Sequence, residues 1–376
     1  MEITLQKATL FLFVKGTAQS QVEQLVADAQ LAASLDTLER VRACPEFGTM
    51  VVATANEAFA QRAAALGARI EIDQPGEDFH WGRRLAALVT KYAAAVPCYI
   101  GGGSGVLMSS GDWSAMIGQV MQKPNCVVTN NYFSCDFAAW APGAALGTIE
   151  PPELDNDLAF RLGERAGLRV VALSKNAATQ LDIDTPTDIL TLSFHPALGE
   201  QMRDVVKNAR LDSTRAEKIR TLINEHDATI LIAGRVSASM ALFLERSTRC
   251  QWRILSEERG MRASGRAARG EARSLLGLYM DQVGTLDFFD ALSRLADAAI
   301  IDSRVLFAHQ QLHPTAGDRF NSDLLQAESI ASQPVRDFTL AARNAAIPVF
   351  LGGHSLVSGG MYALVESSNA PGQIVY

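Results

Sequence analysis

The feature that most constrains this chain is its rhythm: short, nearly continuous apolar runs alternate with longer segments of helical periodicity. In the first half the runs fall at residues 9–14, 50–54, 68–73, 98–100, 126–129 and 168–173. Amphipathic stretches at 21–35, 57–66, 82–95 and 157–166 lie between several of them. Strands that are apolar on both faces belong to sheets covered by helices on both sides, so the pattern predicts βαβ units and a mainly parallel sheet. Gly67 is well placed to end the second of these helices.

The rhythm breaks near residues 187–199, and a polar helical stretch follows at 212–225. A new unit then begins with a strand at 228–233, the turn Gly234-Arg235-Val236-Ser237, a helix running through Glu245 and a strand at 252–255. Helix 286–296, strand 299–302, helix 335–345 and strand 348–351 continue it. At 376 residues the chain is too long for one ordinary core. The expectation is an α/β protein of two three-layer α/β/α domains, 1–198 and 199–376, the second Rossmann-like.

Composition excludes several classes. With 48% hydrophobic and 20% charged residues, disorder is not expected. A net charge of −7 argues against a general binder of nucleic acid or anionic membrane, because phosphate backbones reward the opposite sign. Cys44, Cys98, Cys126, Cys135 and Cys250 are scattered and never spaced as CxxC, so neither a zinc site nor a disulfide framework follows. The run at 8–14 lacks the basic flank and cleavage site of a signal peptide, and no run approaches the ~18–20 apolar residues that span a bilayer. A cytoplasmic protein with no membrane partner is expected, with a homo-oligomer left open.

The most informative segment is LDIDTPTD, residues 181–188. Its second half reads as a helix start, with Thr185 at the N-cap, Pro186 at the first helical position and Asp188 three residues after the cap. That reading does not account for Asp182 and Asp184. On an extended approach, residues two apart share a side at a separation of roughly 7 Å. Two carboxylates at about 7 Å repel by roughly 2.4 kcal/mol at an effective dielectric near 20. Solvent, an arginine or a divalent cation relieves that repulsion, and Mg²⁺ favours one or two carboxylates together with substrate phosphates.

LDIDTPTD, closing a mainly parallel α/β stretch, resembles the end of the nucleotidyltransferases that guanylylate the molybdenum cofactor or phospholactate. This implies a nucleotide-diphospho-sugar-transferase-like first domain. The segment beginning Gly82-Arg83-Arg84-Leu85 resembles the start of their GLNAAL-type helix, residues 98–108 stand where their strand and metal-binding loop would be, and Asn130-Asn131 followed by Asp136 falls at their substrate loop. The resemblance implies that Asp182 and Asp184 are catalytic and hold Mg²⁺ on a bound nucleotide. Lys15, Gly16, Arg83, Gly102, Gly103, Ser104, Asn130 and Asn131 would then contact the nucleotide or its phosphates. The implied partner is a nucleotide or a phosphorylated small molecule. Two departures stand out: residues 15–20 (KGTAQS) carry one glycine and one lysine where those enzymes have a glycine-rich basic loop, and Gly101 to Gly105 replaces a metal-binding Asp. A binding or regulatory protein that kept the fold without the chemistry is the alternative.

The glycine run after residue 100 reads either as backbone N–H groups offered to an anion or as a tight turn. In the second half, Gly234, Arg235 and Ser237 sit between a strand and a helix, where open α/β sheets bind ligands. Gly352, Gly353, His354 and Ser355 open a loop with two glycine pairs after another strand, a second ligand candidate. Residues 257–273 hold five arginines (259, 262, 266, 269 and 273), a set suited to phosphate recognition or to a solvated face. His309 and His313 have metal-pair spacing, but glutamines replace the zincin glutamate and Pro314 ends the helix, so a core histidine and a loop histidine are expected. Asp302, Arg304, Asp318 and Arg319 are candidates for ion pairs.

Overall fold

The structure, a computed structural model, describes residues 7–15, 18–73, 79–123 and 125–368. These residues fall into two compact units: those within Met1–Thr17, Ala27–Asp182 and Gly199–Val205 supply the first, and those within Ala18–Val26, Ile183–Leu198 and Val206–Tyr376 supply the second.

The first unit is built on a seven-stranded sheet. Its strands are β1 (Ala8–Val14), β2 (Phe47–Thr54), β3 (Arg69–Ile72), β4 (Pro97–Gly101), β5 (Cys126–Thr129), β6 (Phe137–Ala141) and β7 (Arg169–Ala172), in the order β3-β2-β1-β4-β6-β5-β7. All pairings are parallel except those of β6, which runs antiparallel to both β4 and β5. The pleat explains the unbroken apolar runs. Leu10, Leu12 and Val14 of β1 enter one core with Met50, Val52, Cys98 and Ile100, while Phe11 and Phe13 enter another with Val51, Ala53 and Tyr99. Both faces are buried, so no position alternates to polar. Each fully buried side chain of this size stabilises the unit by about 1.5–3 kcal/mol.

Two elements differ from the sequence reading. Strand β6, with sequence FAAWA, was not expected; it is alanine-rich and lacks the β-branched residues that mark a strand. The first helix runs from Gln21 to Arg42 instead of stopping at residue 35. Asp36, which interrupts its apolar pattern, is 1% exposed and accepts hydrogen bonds from the backbone N–H groups of Gln201 and Met202, each at 3.0 Å. It satisfies the otherwise orphaned donors at the start of the helix Glu200–Ala209, which is why a carboxylate tolerates that burial.

The second unit contains a four-stranded, fully parallel sheet of β8 (Thr229–Gly234), β9 (Gln251–Ser256), β10 (Ala298–Asp302) and β11 (Val349–Gly352), in the order β11-β10-β8-β9. Leu231, Ala233, Ala299, Ile301, Val349 and Leu351 form one core with the aromatic set Phe288, Phe289, Phe307 and Phe338. Phe289 and Phe307 both lie 5.3 Å from Phe338 between ring centroids.

His309 is buried, its Nδ1 accepting from the Ser274 backbone N–H and its Nε2 lying 2.9 Å from Asp281. It is a satisfied core histidine, and His313 is exposed in a loop. All five cysteines are buried and unbridged. Among the described residues no helix is long and apolar enough to cross a membrane.

Candidate functional site

In the first unit, β1, β2 and β3 step outward in one direction, and β4 returns to the other side of β1. The carboxyl ends of β1 and β4 therefore flank a topological switch point, the place where loops diverge and open α/β sheets hold ligands. After β4 the chain passes directly against β1, with the Gly102 N–H donating to the Phe13 carbonyl at 2.8 Å. A Cβ on Gly102 would fall 2.7 Å from Val14 Cγ2, so only glycine permits this approach without a shift. Lys15 follows β1 and is exposed; Gly16 lies outside the described residues.

Asp182 reaches this edge. It pairs with Ser104 as an isolated antiparallel bridge, and its Oδ1 accepts the Ser104 hydroxyl at 3.0 Å. Ser104 is 4% exposed, whereas Asp182 is half-buried. The structure thus joins Asp182 to Gly102, Gly103 and Ser104, an association that sequence spacing gives no hint of across 78 residues.

Asp184 belongs to the other unit. Its side chain is exposed, and its backbone N–H donates to Asp188 at 3.0 Å. The expected cap is present: Asp188 Oδ2 also accepts from the Thr185 N–H at 2.7 Å and the Thr185 hydroxyl at 2.9 Å, with Pro186 opening the helix. Asp188 is more than a cap, however. It is fully buried, its Oδ2 takes a fourth donor from Ser355 at 2.8 Å, and its Oδ1 has no partner among the described residues. Burial, followed by the charge of Asp184, pushes its carboxyl up to about 7.

The remaining first-half candidates are dispersed among other tasks. Arg83 is exposed on the helix Trp81–Lys91, while Arg84 is committed to Asp73 at 2.9 Å. Gly82 has a packing reason: a Cβ there would meet the Pro152 carbonyl at 2.2 Å. Asn130 is 2% exposed and braces its own loop, donating to Asp136 at 2.7 Å and accepting from the Asp136 N–H at 3.0 Å. Asn131 accepts from the Phe133 N–H at 3.2 Å. Beside the Gly101 end of β4, Tyr99 donates to Asp155 at 2.7 Å, and burial holds its phenol well above the usual range.

The second unit has its own switch point, between β8 and β10. Gly234, with φ +118°, comes so close to β10 that a Cβ would lie 2.4 Å from Asp302 Cβ. Arg235 grips fully buried Asp302 through Nε at 2.6 Å and Nη2 at 3.1 Å. Burial alone would raise the Asp302 carboxyl, but Arg235 outweighs it and holds the group below the usual carboxylate range. Ser237 caps the helix Ala238–Ser247, accepting from the Met240 N–H at 3.0 Å. After β11, Gly352 accepts from the Ser303 hydroxyl at 3.3 Å, and Gly353 approaches the Arg304 side chain. His354 makes no side-chain hydrogen bond among the described residues, and burial, followed by Arg235, pushes its imidazole down to about 4. Ser355 is spent on Asp188.

The ion pairs differ in part from expectation. Asp302 pairs with Arg235, and Arg304 pairs with buried Asp323 through two bonds of 2.7 and 2.6 Å. Asp318 instead accepts the backbone N–H groups of Ala331 and Ser332.

Among the described residues no three His, Cys, Asp or Glu side chains converge as a metal cage. The donor set at Asp182, one hard carboxylate beside a hydroxyl, is of the kind a hard cation takes when its other ligands come from substrate phosphates and water.

The chain matches no protein-family model and no curated protein in sequence. Among solved structures it is similar to a cytidylyltransferase from Leptospira borgpetersenii serovar Hardjo-bovis, at 14% identity and a TM-score of 0.40, over 55% of this chain and 94% of that one. It is also similar to a CMP:2-keto-3-deoxy-manno-octonic acid synthetase complexed with CTP, at 13% identity and TM-score 0.35, over 48% of this chain and 94% of the other. A 4-diphosphocytidyl-2C-methyl-D-erythritol synthase matches at 14% identity and TM-score 0.31, over 48% and 96% of the two chains. Likenesses this slight carry no weight for function, which has to come from the residues.

Proposed function

We propose that the first unit handles a nucleotide at the edge where β1 and β4 part, as a nucleotidyltransferase-like domain acting with Mg²⁺ on a phosphorylated metabolite. The observation that carries this reading is the Asp182–Ser104 bond at the switch point. Ser104 orients the carboxylate, the close-packed turn at Gly102 and Gly103 leaves backbone within reach of a phosphate, and Lys15 supplies positive charge at the end of β1. Mg²⁺, when bound, would offset the charge of the nucleotide phosphates. In the transfer, an acceptor oxygen attacks the α-phosphorus, a new P–O bond forms, and pyrophosphate leaves with the electrons of the broken bond. The protein's part is positioning and charge neutralisation. The second unit serves in this reading as a Rossmann-like ligand domain.

Asp182 is the primary carboxylate, and Asp184 contributes less because its backbone belongs to the buried Asp188 arrangement. Calorimetry with CTP, GTP and ATP, with and without Mg²⁺, tests this. Metal-dependent binding that Asp182→Asn weakens at least about tenfold, and Asp184→Asn weakens less, is the expected result. Binding that ignores both Mg²⁺ and Asp182→Asn defeats it.

One observation favours a second reading, a nucleotide- or sugar-phosphate-binding regulatory protein without turnover. At the start of the helix Gln21–Arg42, Glu23 takes the Ser20 hydroxyl at 2.9 Å and the Gln19 N–H at 3.2 Å. The chain's own carboxylate thus occupies donors that a glycine-rich loop would offer to phosphates. Pyrophosphate release on incubation with the bound nucleotide and cell-derived phosphorylated acceptors separates the two readings.

A further inference from the structure

The loop after β9 is built in an unusual way. Two of its acidic residues turn inward, while Glu271 pairs with Arg269 at the surface: Glu257 accepts the Ser274 hydroxyl and the Leu275 N–H, each at 2.6 Å, and Glu258 accepts from Arg266 at 2.6 Å and from the Arg273 N–H at 3.0 Å. Two of its arginines stay outside. The guanidinium groups of Arg259 and Arg262 are exposed and make no hydrogen bond or ion pair among the described residues.

Holding this arrangement is costly. Glu258 sits at φ +54°, a left-handed conformation that side chains disfavour, and its Oε2 is buried without a partner among the described residues. Strain of this kind, at a residue that ties the loop to Arg266 and to the Arg273 backbone beside two unpaired exposed arginines, marks the segment as one held for a purpose.

The same edge gathers several guanidinium groups. Arg235 and Arg259 both act on His354 electrostatically, and Arg304 and Arg262 both act on Arg319. Burial and these two like charges lower the pKa of Arg319, whose one side-chain hydrogen bond among the described residues goes to the Pro314 carbonyl at 2.8 Å. The carboxylates facing this group are Asp302 and Asp323, both locked in bidentate pairs, together with Glu23, Asp184 and Asp188. Hydrogen-bonded pairs consume Arg235 and Arg304, leaving Arg259, Arg262 and Arg319 without a carboxylate partner among the described residues.

We propose that the carboxyl edge of the β11-β10-β8-β9 sheet is a binding site for a phosphorylated anion, taken by Arg259, Arg262 and Arg319 from the side of the β9 loop, with His354 as a hydrogen-bonding wall. Guanidinium forks match phosphoryl oxygens in pairs, and the site lies beside a topological switch point, where a parallel sheet leaves room between diverging loops. No metal is required, because the protein itself supplies the positive charge.

Inorganic pyrophosphate and inorganic phosphate, without divalent metal and at fixed ionic strength, are the probes, added to the full chain and followed by calorimetry and thermal unfolding. Pyrophosphate should bind and raise the unfolding midpoint. Arg259→Ala with Arg262→Ala should weaken binding at least about tenfold while leaving the unliganded midpoint unchanged, since both side chains are exposed. His354→Asn should weaken it by a smaller factor. Asp182→Asn should leave it intact, which separates this site from the nucleotide reading. The proposal fails if pyrophosphate does no more than sodium chloride of equal ionic strength, or if the double arginine variant binds as the parent does.

Discussion

The two switch points obey one topological rule and use opposite chemistry. Between β1 and β4 the walls are glycine backbone, a serine and one half-buried carboxylate. Between β8 and β10 they are a buried guanidinium–carboxylate pair with further arginines around it. The first edge is poor in cations, so in the proposed reading it would hold a polyphosphate with help from a metal. The second, as proposed, would hold an anion by itself. Topology thus selects where a ligand sits, and the residues placed there select how its charge is met.

The comparison breaks most visibly at Asp302. Asp302→Ala leaves Arg235 buried without its counter-charge and should cost about 3–5 kcal/mol in urea unfolding. Replacing both partners, Asp302→Leu with Arg235→Met, should recover much of that loss, because it removes two desolvated charges together. In the first unit the corresponding weak point is steric. Gly102→Ala forces a Cβ to within 2.7 Å of Val14 Cγ2 and should destabilise by about 1–3 kcal/mol, with weaker nucleotide binding.

A smaller effect depends on pH. The His354 pKa is depressed to about 4 from 6.5. Between those values the unfolded chain binds the extra proton, so this group's contribution is complete above pH 6.5 and is lost as pH falls toward 4. The loss should be on the order of 2 kcal/mol once partial exposure is allowed for, and the difference between the parent and His354→Asn across that window measures it. Smallest of all is the stability change for Asp182→Asn, expected below about 1 kcal/mol because the side chain is only half-buried. Its loss of Mg²⁺-dependent nucleotide binding would then report on the site and not on the fold.

Much of the sheet was legible because a strand buried on both faces is nearly continuously apolar, as in Ala8–Val14 and Thr229–Gly234, where one threonine apiece is the exception. Strand β6 escaped because alanine carries little preference and its antiparallel direction leaves no local mark. The cap at Thr185, Pro186 and Asp188 was readable since all its parts lie within one helical turn. Nothing in the sequence announced that Asp188 meets Ser355 across 167 residues, that Asp302 meets Arg235 across 67, or that Asp36 caps a helix 165 residues away. Such pairs depend on the completed fold, and a lone aspartate looks the same in a sequence whether it is solvated or buried.

The interleaving of the chain limits how the protein can be dissected. Ala18–Val26 folds with the later half and Gly199–Val205 with the earlier one. A single proteolytic nick near residue 198 would therefore strand a short piece of each unit on the wrong fragment. Expressing either half alone should give a product missing part of its own core, so whatever a fragment fails to bind says little about which half binds it.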